Sequence, residues 1–194
     1  MATTSALRRA VAIVAILNLA YFGVEFTMAL TIDAVSLLAD SVDFLEDAAV
    51  NLLVLLALSW RPQARARMGM ALAGFLLVPA VAFLWALWSK FSHPAPPEAF
   101  SLGVTGAGAL VVNLACAFIL ASHRHTGGSL SRAAFLSARN DALANVGIIA
   151  AGLATLITHS LWPDVIVGLA IALMNLGAAR EVWEAAREEK AAAS

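Results

Sequence analysis

Residues 34–59 read AVSLLADSVDFLEDAAVNLLVLLALS, an apolar run that carries four acids, Asp40, Asp43, Glu46 and Asp47. A helix needs roughly 20 residues to cross a hydrocarbon core, and this run is long enough. At about 100° per residue, Asp43 and Asp47 lie one turn apart and roughly 40° apart around the axis. Asp40 and Glu46 flank them, so all four acids share one face. Side chains at i and i+4 stack along a helix, so two carboxylates with that spacing can converge on one ion. A charged side chain inside a bilayer is costly, and each one within a span is therefore a functional hypothesis.

Five further stretches have the same length and character. With the first, the expected spans are 8–30, 34–59, 67–89, 99–121, 132–158 and 162–182. Short connections separate them, with breakers at Arg61-Pro62, at His93 to Pro97, at Gly127-Gly128-Ser129 and at Trp162-Pro163-Asp164. Pro79 falls inside the third span, where a kink is tolerable if neighbours satisfy the freed carbonyl. The chain has 194 residues, 61% hydrophobic and only 13% charged. A water-soluble domain would carry about 25% charged residues. The excess of apolar residues belongs in lipid.

These features predict an all-α fold, a six-helix transmembrane bundle forming a single domain over residues 1–194. The run from Leu7 to Leu19 after Arg8 and Arg9 resembles a signal peptide, but it continues through Glu25 to Leu30 without a small-residue cleavage site. With the N-terminus inside, ten of the twelve basic residues lie in the cytoplasm or at its interface: Arg8, Arg9, Arg61, Arg65, Arg67, Arg124, Arg132, Arg180, Arg187 and Lys190. Lys90 lies outside and Arg139 within a span. That bias predicts cytoplasmic N- and C-termini. After the sixth span a charged helical extension from Glu181 to Lys190 is expected, with no soluble C-terminal domain. A net charge of -1 gives no footing for nucleic acid, and the single Cys116 excludes an internal disulfide.

The fifth span contributes Asp141, with Ser137 and Asn145 on its face at i-4 and i+4. Asn140 lies about 100° away and Arg139 points nearly opposite. Several carboxylates brought together in low dielectric cannot all stay ionised unless a cation joins them. A divalent ion meets that need, and protons are the alternative occupant. The competing reading is a structural ion pair, but Arg139 alone cannot neutralise four acids plus Asp141. Asn18 and Glu25, seven apart in the first span, share a face that lines either a pathway or a helix interface, and Asn113 in the fourth span suits an interface. Gly103, Gly106 and Gly108 predict close helix approach. His123 and His125 suit a solvated loop, and His93, His159, Met28, Met174 and Cys116 carry no specific expectation.

In this pattern the chain resembles the cation diffusion facilitator family, over roughly residues 10 to 190. The resemblance rests on Asn18 and Glu25, on Ser36-Leu37-Leu38-Ala39-Asp40-Ser41 leading to Asp43 and Asp47, on Asn113, on Asp141-Ala142-Leu143 and on Pro163-Asp164. It implies six transmembrane helices, usually a homodimer, and export of divalent cations, commonly in exchange for protons. It also implies a transport site built from Asp43, Asp47, Ser137 and Asp141. Family zinc transporters usually carry His or Asp at the position of Ser137, and most have a cytoplasmic metal-binding domain after the sixth helix. Serine is a poor zinc ligand. With Asn140 lending a carbonyl oxygen the site would be all-oxygen, which suits a harder ion such as Mn²⁺.

The expected function is efflux of a zinc-like or manganese-like ion by a multi-pass protein of a bacterial inner membrane. Asp43, Asp47 and Asp141 would ligate the ion, with Ser137 or Asn140 completing the shell and Asp40, Glu46, Glu25 and Asn145 behind them or along the pathway. No permanently bound cofactor is expected. Its partners are the divalent ion and the lipid bilayer. No nucleophile–base pair or nucleotide loop appears, so no enzyme is expected. The alternative from another class is a transport-incompetent relative acting as a membrane partner or metal-responsive regulator. A third is a pathway for protons or monovalent cations through the same carboxylates.

Overall fold

Continuous apolar stretches interrupted by short polar turns can satisfy their backbone in lipid only as helices or closed barrels, and this chain forms helices. A computed structural model describes residues 2–57, 81–121 and 128–174, with side chains for residues 6, 8–52, 55, 81–121 and 140–174. The helices are α1 (Ala2–Ile32), α2 (Val35–Ala57), α3 (its described part 81–92), α4 (Ala99–Ala121), α5 (Gly128–Thr158) and α6 (its described part Trp162–Met174). No strand occurs among the described residues. The result is the six-helix, all-α bundle that the apolar spans predict. The first part of the third span with Pro79, the loop histidines His123 and His125, the extension from Glu181 to Lys190 and the Arg139 side chain lie outside the described residues.

Local chemistry sets where the helices turn. α1 stops at Asp33, which adopts a left-handed φ of 53°, and the next amide, Ala34, donates back to the Ala29 carbonyl at 2.9 Å. This closure satisfies carbonyls that the helix end leaves without partners. Lys90, fully buried at the end of α3, donates to the Asp33 carbonyl and pairs with its carboxylate at 3.1 Å. A cation there also complements the negative end of α1. α5 stops the same way, at His159 with φ 51°, whose amide bonds the Thr155 carbonyl at 2.8 Å. α4 starts behind Glu98, whose carboxylate accepts from the amides of Phe100 (2.9 Å) and Ser101 (2.7 Å). Hydrogen bonds from Ser101 and Phe100 hold the Glu98 carboxyl below the usual glutamate range.

α1 packs along α2 and α4 along α5; the two pairs join chiefly through α1 against α4, with α2 touching α5 and α4. The core gathers apolar side chains from several helices: Ala29, Leu37, Leu38, Leu102, Ile148 and Val165 are all buried. In lipid no hydrophobic force drives helices together, so small residues that permit tight backbone contact matter more. A Cβ on Gly152 would sit 3.0 Å from the Gly103 nitrogen and 3.1 Å from the Ala99 carbonyl, so α4 and α5 approach at nearly backbone distance there. Of the expected glycines, Gly106 presses on Ile148 and Gly108 on the Tyr21 hydroxyl, whereas a Cβ on Gly103 itself would meet open space.

Large apolar side chains face outward, with Phe118 78% and Trp85 72% exposed, while Asn18, Glu25, Asp40 and Asn145 are enclosed. Apolar outside and polar within is the distribution of a membrane protein. Arg8–Ile32, Ala99–Ala121 and Asn140–Thr158 are long and apolar enough to cross a membrane. α2 equals α4 in length, and its four acids are what set it apart.

Candidate functional site

The polar interior is built around Asp40 of α2. Its side chain is 1% exposed, and its Oδ2 accepts a 2.7 Å hydrogen bond from Nδ2 of Asn145 on α5. A carboxylate can only accept, so the Asn145 amide must present nitrogen to it and oxygen to the other side. That oxygen receives Nδ2 of Asn113 on α4 at 3.2 Å. One chain of polar contacts thus links α4, α5 and α2 across the bundle. Asn18 of α1 joins α4 separately, accepting from the Cys116 thiol at 3.8 Å. The interface role expected for Asn113 is what the structure shows.

The remaining acids of α2 sit differently. Asp43, Glu46 and Asp47 are each half-buried, and so is Asp141 on α5. The Asp141 carboxyl lies within electrostatic range of Asp47, Asp40 and Glu46. Asn140 is exposed, and the side chain of Ser137 is outside the described residues. Among the described residues no three His, Cys, Asp or Glu side chains converge closely enough to hold a metal. The acids of α2 and α5 form an open cluster of oxygen donors along a helix interface. Its members stay half-accessible.

Glu25 of α1 lies against this interior and is fully buried. Its carboxyl and that of Asp40 face each other within hydrogen-bonding reach. Among the described residues, both Glu25 oxygens and Oδ1 of Asp40 nevertheless have no donor. Two ionised carboxylates cannot bond each other, so the approach becomes a hydrogen bond only when a proton lies between them.

Distant residues position these groups. Asp164, at the start of α6, accepts from the Val35 amide (2.8 Å), the Ser36 amide (3.0 Å) and the Ser36 hydroxyl (2.6 Å). It caps, from 128 residues away, the start of the helix that carries the four acids. A Cβ on Gly168 would meet the backbone of Val35 and Ser36 at 2.9 Å, so α6 can come this close only with glycine there. Tyr21 of α1 donates to the Thr105 carbonyl of α4 at 2.6 Å, and its ring lies 5.0 Å from that of Phe44 on α2. Sequence reasoning passed over Tyr21 and the capping role of Asp164. A lone tyrosine in an apolar span and a Pro-Asp pair opening a helix were the available signals.

Two comparisons bear on what this interior serves. Residues 11–188 match the family described as the cation efflux transmembrane domain. No curated protein matches the chain.

Proposed function

We propose, from the premise that the chain belongs to the cation efflux family, that it carries a divalent metal ion out across the membrane through the α2–α5 interface. Asp43, Asp47 and Asp141 ligate the ion, and Ser137 or Asn140 completes the shell. The observation that carries this reading is Asp141 of α5 lying in electrostatic range of Asp47 of α2, within a bundle whose described cations lie elsewhere. Half-buried acids that have not closed on one point suit a transported ion, which must enter and leave. Alternating access would rock the helices around such a site, opening it to one side and then the other. An oxygen-rich shell without imidazole favours a Mn²⁺-like ion over Zn²⁺. The protein works as a homodimer in a bacterial inner membrane, and no covalent chemistry is required of it.

The test is metal flux into proteoliposomes holding the purified protein, with an imposed pH gradient and with Mn²⁺ and Zn²⁺ offered separately. Asp43→Ala and Asp141→Ala are each expected to stop uptake. Flux unaffected by both changes would sink the site. A second reading, a transport-incompetent partner or metal-responsive regulator, draws on serine at position 137 and on the open acid cluster. It wins if no divalent metal moves in competent vesicles.

A further inference from the structure

The Glu25–Asp40 contact has no role in the ligand set proposed above. We propose that these two carboxyls hold one proton between them, at a site apart from the metal ligands, and that arrival of the divalent ion drives it out. The second half rests on the transport reading; the first does not.

Geometry carries the first half. Three oxygens of the pair, Glu25 Oε1 and Oε2 and Asp40 Oδ1, are buried without a donor among the described residues, and the fourth is taken by Asn145. Burying an ionised carboxylate without donors is far costlier than protonating it. Among the described residues, the groups facing the pair supply no countercharge. Tyr21 on α1, Asp43 on α2 and Asp141 on α5 lie within its electrostatic range, and all are neutral or acidic. From α4, Asn113 reaches it only through Asn145, and the Cys116 thiol donates to Asn18 instead. Asp164 of α6 is engaged with the start of α2. Among the described side chains the cations are Lys90, held by Asp33, and Arg8 and Arg9. Those arginines lie about 25 Å down α1 from Glu25 at 1.5 Å per residue. One proton satisfies what no cation among the described side chains does. Glu25 or Asp40 then donates to the other, and the pair carries one negative charge.

Coupling follows from placement. Asp40 is one helical turn from Asp43 and shares Asn145 with the helix that carries Asp141. A divalent ion among Asp43, Asp47 and Asp141 lowers the cost of a second negative charge next door, so the O–H bond breaks and the proton leaves to water. When the ion departs, the pair takes a proton back.

Infrared difference spectroscopy on the full chain in lipid tests this. At neutral pH the metal-free protein should show a protonated-carboxyl C=O band. Glu25→Gln and Asp40→Asn should each abolish it, because either amide donates to the remaining carboxylate and replaces the proton. Both amides fit the existing bonds, and Glu25→Asp, which keeps an acid pair, should retain the band. A band that survives both amide changes overturns the proposal. The second measurement is proton release when Mn²⁺ alone is added, with binding followed by calorimetry. Glu25→Gln should bind Mn²⁺ yet release about one proton fewer than the unaltered protein, and equal release overturns the coupling. If the unaltered protein binds no Mn²⁺ or Zn²⁺, the transport reading and the coupling fall together, while the infrared band still decides the pair.

Discussion

Two sets of acids occupy the same helix and meet opposite fates. Asp40 is sealed at 1% exposure, bonded to Asn145 and faced by Glu25. One and two turns further along α2, Asp43 and Asp47 are half-buried, and Asp141 of α5, half-buried as well, lies within electrostatic range of Asp47 as it does of Asp40. The composition of the four is the same, so the difference comes from what stands opposite. Glu25 and Asn145 close over Asp40, whereas Asp43, Asp47 and Asp141 stay half-buried. A sealed carboxyl exchanges only what fits between two side chains. Half-open carboxyls can take an ion and give it back.

The comparison breaks most sharply in transport. Loss of a residue that merely orients a metal ligand costs about 10–100-fold in affinity. Removing a proposed ligand, as in Asp47→Ala or Asp141→Ala, should therefore cut flux by about 100-fold or more, with thermal unfolding little changed. If Asp47→Ala transports normally while Asp40→Asn does not, the two sets have exchanged roles.

Stability should show the reverse order, and two asparagines five residues apart on α5 test it. Asn145→Ala leaves Asp40 without its donor and Asn113 without its acceptor. It is expected to cost about 2–4 kcal/mol in unfolding measurements, because buried polar groups lose their partners. The exposed Asn140→Ala should stay within about 0.5 kcal/mol. Equal effects would mean that the interior is not sealed as described.

A third change tests whether the depth of α2 separates the two sets. Asp164→Ala removes three bonds from the start of the helix. A cap of this kind, strengthened by its charge, is worth about 2–3 kcal/mol. Asp164→Asn should recover part of that in thermal melts. The smallest effect belongs to the contrasting cap at Glu98, which is fully exposed. Its carboxyl is depressed, so its contribution is present above the ordinary glutamate range and is lost as pH falls through the lowered value. Glu98→Gln should flatten that acidic slope in a pH series of melting temperatures and leave neutral pH nearly untouched.

Restoring an imidazole offers a selectivity check between the two sets. Ser137→His should raise zinc flux and lower manganese flux if the half-open acids set the choice of metal, because imidazole is a better zinc ligand than serine. Unchanged selectivity would remove position 137 from the ligand shell.

Local rules made much of this protein legible. Six apolar stretches and the breakers between them give helices, since lipid leaves the backbone no other open-chain form. The 3.6-residue period places Asp40, Asp43, Glu46 and Asp47 on one face whatever surrounds them. Membership of a metal-moving family could be expected from the same residues in the same order. Periodicity, however, is blind to rotation and depth relative to neighbouring helices. It ranked Asp40 behind Asp43 and Asp47, and it left Glu25 divided between a pathway and an interface. Only packing decided that Asn145 bonds Asp40, that Glu25 faces it, and that Asp164 holds the end of α2. Those contacts depend on how far small residues let helices approach, as at Gly152 and Gly168, where backbone stands against backbone. A helix can know its own face from its sequence; which partner that face meets is settled by the bundle.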